Sequence, residues 1–93
     1  MTNENWTKKV LDATLNLYCF NLKKLNEYTS EFEFMLKLAS YGANNAELGK
    51  ITSCLAELIA AQTEYVNSLK RDIEKYYLRL SAESKISAKK IAA

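Results

Sequence analysis

The chain has no proline, no histidine and two glycines in 93 residues. Sandwiches and barrels need turn-forming residues every 8–12 positions, so the lack of Pro and Gly argues against them. Without His, the usual general base and the commonest metal ligand are both missing. Cys19 and Cys54 are the only thiols, too few for a zinc site in a chain without His. There is no Gly-rich loop behind a strand pattern, and so no phosphate cradle. Charge of one sign is also scarce: the net charge is +2, which demands no polyanionic partner. With 48% hydrophobic and 26% charged residues, the chain is far too apolar for disorder. Its length gives one domain at most.

The small excess of positive charge is unevenly placed. Seven bases (Lys70, Arg71, Lys75, Arg79, Lys85, Lys89, Lys90) stand against three acids from Lys70 onward, for +4 there and −2 over the rest. Bases near a helix C-terminus complement the helix dipole, which accounts for them without an anionic partner. No recognition motif accompanies them, and no nucleic-acid partner is expected. The start, Met1-Thr2-Asn3-Glu4-Asn5, has no basic region followed by an apolar one, so no export signal is expected. The uncharged stretch from Ala13 to Leu22 is about half of what a membrane span requires. A cytoplasmic protein without a membrane span is the expectation.

Two heptad seams are present. In the first half, Leu11, Leu15, Tyr18, Leu22, Leu25, Thr29, Phe32, Leu36 and Ala39 follow each other at alternating spacings of 4 and 3. In the second half, Leu55, Ile59, Gln62, Val66, Leu69, Ile73, Tyr76 and Leu80 do the same. Such spacing places each set on one helix face. Thr29 and Gln62 are the polar interruptions. Tyr18, Tyr65 and Tyr76 fall on or beside the seams, which suits rings packed in a core with hydroxyls reaching water.

Between the seams the pattern stops at Ser40-Tyr41-Gly42-Ala43-Asn44-Asn45. Gly42 suits the left-handed conformation that ends a helix. Asn44 or Asn45 suits a cap, and Asn44 with Glu47 resembles a capping box. Gly49 costs a helix about 1 kcal/mol relative to Ala, so the regular second helix is expected to start near Lys50–Thr52. A connection this short makes its helices antiparallel. The expected fold is all-α: an elongated antiparallel two-helix hairpin, coiled-coil-like, assembling into an oligomeric helical bundle. Its expected parts are a helix over about 4–40, a turn over 41–45, a helix over 46–84 and a basic tail over 85–93. In such a hairpin Cys19 and Cys54 lie ~20 Å apart along the axis, which excludes a bond between them.

A two-helix hairpin buries one stripe per helix, and the first helix carries two. Trp6, Val10, Ala13, Leu17 and Phe20 also run at 4, 3, 4, 3, about 100° round the helix from the seam. A soluble monomer rarely exposes such a patch. Either copies of the chain cover it or it meets another apolar partner or surface. Catalytic arrangements are missing. Ser, Thr and Cys have no His to activate them, and no Glu-x-x-His motif supports a di-metal site. Glu27 with Glu31, and Glu57 with Glu64, are spaced as ordinary solvated pairs on helix faces. No enzyme activity, cofactor or metal is expected.

The segment Leu55-Ala56-Glu57-Leu58-Ile59-Ala60-Ala61-Gln62-Thr63-Glu64-Tyr65-Val66-Asn67-Ser68-Leu69-Lys70 resembles the second long helix of bacterial phasins. These proteins coat polyhydroxyalkanoate storage granules. In that family an aromatic such as Tyr76 or Tyr77 follows. A tail of small residues and Lys comes next, as in Ser81-Ala82-Glu83-Ser84-Lys85-Ile86-Ser87-Ala88-Lys89-Lys90. The resemblance covers about residues 10–90. It implies an amphipathic protein that adsorbs to the granule's hydrophobic polyester surface and keeps granules from coalescing. Trp6, Val10, Ala13, Leu17 and Phe20 are then its contact residues. A structural or adaptor coiled coil that binds another protein through that stripe is the alternative.

Overall fold

A computed structural model shows two α-helices, α1 over Asn3–Ser40 and α2 over Ala46–Ala92. The structure describes residues 3–42 and 46–92, with side chains over 5–42 and 46–84. Ala43, Asn44 and Asn45, on which the expected cap falls, lie outside the described residues, as do the side chains of Lys85, Lys89 and Lys90. The fold is an all-α helical hairpin.

Neither helix contains Pro, and four threonines inside the helices donate their hydroxyls to the carbonyl one turn back. Thr14 Oγ1 reaches Val10 O at 2.7 Å and Thr29 Oγ1 reaches Leu25 O at 2.9 Å. Thr52 and Thr63 do the same to Leu48 and Ile59. These local bonds let a hydroxyl sit in a helix without a distant partner. Helix α1 ends by tightening. The Tyr41 N–H donates to the carbonyls of Lys37 (3.2 Å) and Leu38 (3.1 Å), and the Gly42 N–H donates to that of Ala39 (3.1 Å). Gly42 then turns the chain at φ 92°, a conformation that costs any residue with a Cβ.

One expected boundary moves and one is met. Helix α2 starts at Ala46, as the 46–84 range expects, and not at the later start near Lys50–Thr52; Gly49 lies inside it. Glu47 favours the positive end of the helix dipole, and Leu48 and Thr52 are half-buried; together these offset the cost of one glycine. The expected tail from 85 is helical as far as Ala92. Its Ser, Ala, Lys and Ile residues include no helix breaker, and bases suit a helix C-terminus.

The chain divides into two compact units. The first joins the start of α1, through Cys19, to the end of α2, from Asn67 on. Leu11 and Leu69 are its buried apolar residues, and Thr7 is fully buried beside them. Thr7 Oγ1 donates to Glu83 Oε1 at 3.2 Å and ties the two helices across 76 residues of sequence. The second unit, Phe20–Val66, contains the turn. Here Val66 is buried, and Gln62 Nε2 donates to both Asn21 Oδ1 (2.8 Å) and Asn21 O (2.9 Å). In each unit the helices run antiparallel, as the chain direction requires.

The seam on α2 lies where the spacing puts it. Val66 and Leu69 are buried, and Leu55, Ile59, Gln62, Ile73, Tyr76 and Leu80 are half-buried. The row continues to Leu48, Thr52 and Glu83 at the same spacing. On α1 the seam differs from the expectation. Leu11 is buried and Leu15, Tyr18, Leu22, Leu25, Thr29 and Phe32 are half-buried, but Leu36 is 50% exposed and Ala39 is exposed. The covered row runs Thr7, Leu11, Thr14, Tyr18, Asn21, Leu25, Tyr28, Phe32, Met35. That row also alternates 4 and 3, and it shares Leu11, Tyr18, Leu25 and Phe32 with the expected one. A count of apolar residues rejects it, because three of its members are Thr and Asn. Packing accepts it, because Asn21 receives its hydrogen bond from Gln62.

Candidate functional site

The molecule keeps little of its apolar surface for itself. Among the described residues the buried apolar side chains are Leu11, Val66 and Leu69. Eleven large hydrophobic residues are exposed by at least 44%. A hairpin has one neighbour per helix, so everything off the seam faces outward.

In the first unit the second stripe of α1 is displayed. Trp6 is 55% exposed, Leu17 is 47% exposed, Ala13 is exposed, and Val10 is half-buried at the edge of the seam. Trp6 also lines a depression of about 370 Å³ together with Thr7, Arg79 and Glu83. Thr7 and Glu83 in this lining share the hydrogen bond described above; the other carboxylate oxygen, Glu83 Oε2, is buried and makes no hydrogen bond among the described residues. Phe20, the last member of the stripe, is the first residue of the second unit and is 58% exposed.

In the second unit Phe20 is accompanied by Phe34, also half exposed. The Lys24 ammonium lies 4.8 Å from the centre of the Phe20 ring, a cation–π contact. Helix α2 adds a row of its own. Ile51, Leu58 and Tyr65 recur every seven residues, each about 45% exposed, with the exposed Cys54 and Ala61 between them. Tyr65 therefore faces outward more than its expected place beside the seam suggests. Both exposed rows stand about 100° from the seam of their own helix, in the same rotational sense. In an antiparallel pair, equal rotations bring both rows to one side. Phe20, Lys24, Glu27, Glu31 and Phe34 of α1 thus share a face with Ile51, Leu58 and Tyr65 of α2. A shallow depression near the turn, lined by Phe32, Leu48, Gly49, Thr52 and other small residues, opens elsewhere on this unit.

The α2 row is the part that the heptad count passed over. Its signal was present as Ile51, Cys54, Leu58, Ala61, Tyr65 at spacings of 3, 4, 3, 4, but the stronger neighbouring seam of Leu, Ile and Val drew the assignment. The two cysteines are free and exposed. Among the described residues, no helix is long and apolar enough to cross a membrane. Compared with family models, curated proteins and solved structures, the chain matches none of them.

Proposed function

We propose that this chain is a non-enzymatic amphipathic coat protein. It lays its exposed apolar rows on a hydrophobic polyester surface, that of a cytoplasmic polyhydroxyalkanoate granule, and turns its charged positions to water. The supporting observation is the distribution of apolar surface: Trp6, Leu17 and Phe20 stand about half exposed on a helix whose own seam is already covered. Interfacial helices work in this way, with binding that grows with the apolar area removed from water. The likeness of residues 55–70 to the second helix of phasins names the surface. Neutral interfacial contact needs no cofactor, and the dispersed charges of the outer faces keep the coated particle wetted.

Co-sedimentation with amorphous polyhydroxybutyrate particles tests the proposal, with detergent-blocked particles as control. Saturable binding to bare particles alone supports it. A discrete oligomer in solution that ignores bare particles contradicts it and makes the chain a structural or adaptor coiled coil.

A further inference from the structure

We propose that the two helices of the first unit part when the chain adsorbs, and that each then lays its own apolar face on the polyester while the second unit stays paired. The inference rests on the coat reading and names the state of the chain that meets the surface.

In the first unit, the side that carries Trp6 and Leu17 is apolar on one helix only. On α2, Asp72, Lys75 and Arg79 follow each other at spacings of 3 and 4, and all three are exposed. They stand about 100° from the α2 seam, in the same rotational sense as the Trp6 row from its own seam. In this antiparallel pair both rows therefore come to one side. Trp6 and Arg79 accordingly line the same depression. A closed unit cannot set Trp6 and Leu17 flat on a polyester without pressing that charged row against it. Taking charges out of water onto an apolar surface is costly. Lys75 and Arg79 have stems long enough to turn their heads back to water, but Asp72 does not.

Parting removes the conflict. Over residues 5–19, the α1 charges Lys8, Lys9 and Asp12 gather within about 100° of arc. The rest of the circumference carries the Trp6 row and, beside it, the seam residues Leu11 and Leu15. Freed from α2, this helix has one broad apolar face and one narrow charged face, as an interfacial helix requires. The end of α2 can then turn Leu69, Ile73 and Leu80 to the surface and the Asp72–Arg79 row to water.

The way the unit is closed points in the same direction. Thr7 is fully buried and donates to Glu83 Oε1, yet Glu83 Oε2 is buried with no hydrogen bond among the described residues. A buried polar atom left unbonded penalises the closed state, and parting returns it to water. Among the described residues, Leu11 and Leu69 are the apolar side chains buried in this unit. No backbone hydrogen bond is broken, because each helix satisfies its own. In water the seam holds the unit shut; on a polyester the surface replaces the partner helix. The second unit is tied differently. Gln62 Nε2 donates to both oxygens of Asn21, and the chain itself joins the two helices. The parting therefore stops at the Asn21–Gln62 layer.

Pulsed electron paramagnetic resonance on the full chain tests this. Lys9→Cys with Ser81→Cys carries one nitroxide on each helix of the first unit, and Ser30→Cys with Ser53→Cys does so in the second; all four positions are exposed. Cys19 and Cys54, free and exposed, are replaced by Ser. Far-UV circular dichroism verifies that each variant keeps its helices. Labelled chain is diluted into wild type, so that only distances within one chain are read. On bare amorphous polyhydroxybutyrate particles the first-unit distance is expected to at least double, and the second-unit distance to stay as in water. A short bismaleimide bridge across the first pair is expected to weaken particle binding at least tenfold, and one across the second pair to leave it unchanged. A bound chain whose first-unit distance is unchanged overturns the parting alone. So does a first-unit bridge without effect on binding, or a second unit that lengthens equally. Wild-type chain that does not bind the particles contradicts the coat reading, and the parting with it.

Discussion

Replacing Trp6 and Leu17 together by Gln removes the exposed apolar row of the first unit without adding charge. Trp6 is 55% exposed and Leu17 47%, so what they offer a surface is about half of each side chain. With Trp6 near the top of the 150–250 Å² aromatic range and Leu17 somewhat smaller, the pair supplies about 200 Å² of contact, or ~5 kcal/mol at 25 cal/mol per Å². Ordering of side chains and imperfect fit on an amorphous surface reduce the net effect to about 2–3 kcal/mol. That is roughly a hundredfold in affinity at 1.4 kcal/mol per tenfold. Gln is a good helix former, and Trp6 and Leu17 contribute little to the seam, so helicity should be retained. Binding isotherms on bare polyhydroxybutyrate particles, wild type against W6Q/L17Q, measure the ratio. An isotherm unchanged within threefold, with helicity intact, refutes the assignment of this row as the contact.

Other expected outcomes concern the frame that holds these rows. The two glycines should respond with opposite sign. Gly42→Ala forces a Cβ into φ 92° and should cost about 1 kcal/mol, whereas Gly49→Ala, inside a helix with open space around it, should gain about as much; urea unfolding decides both. At the polar layer, Gln62→Leu takes a donor from the buried Asn21 and should cost about 1–3 kcal/mol, whereas Asn21→Leu with Gln62→Leu should recover most of it. A double-mutant cycle with no coupling between the two would contradict the role given to this pair.

Much of the frame was legible in the sequence. Unbroken 4-and-3 spacing, no proline and a single Ser-Tyr-Gly-Ala-Asn-Asn break admit little besides a helical hairpin, and the α2 seam follows the count residue for residue. What failed has physical reasons. The α1 seam includes Asn21 and Thr14, which a hydrophobic count scores as solvent-facing. One is buried by a hydrogen bond from a residue 41 positions away, and the other satisfies its hydroxyl locally. Leu36 was assigned by its chemistry, yet Met35 took the covered place. The charge of residues 85–93 suggests a tail separate from the helix, although nothing in it stops a helix, and α2 runs to Ala92. Of the candidate site, the row from Trp6 to Phe20 could be read from spacing alone. The Ile51–Tyr65 row was hidden beside a stronger pattern. That it shares a side with Phe20 and Phe34 follows only once the helices are paired.

Trp6 is the only tryptophan and sits within the proposed contact row, so its fluorescence reports the central claim directly. On bare polyhydroxybutyrate particles its emission should shift to shorter wavelength and become shielded from a soluble quencher, with no change on detergent-blocked particles. Emission that stays at its solution wavelength and remains fully quenchable on bare particles would contradict the account.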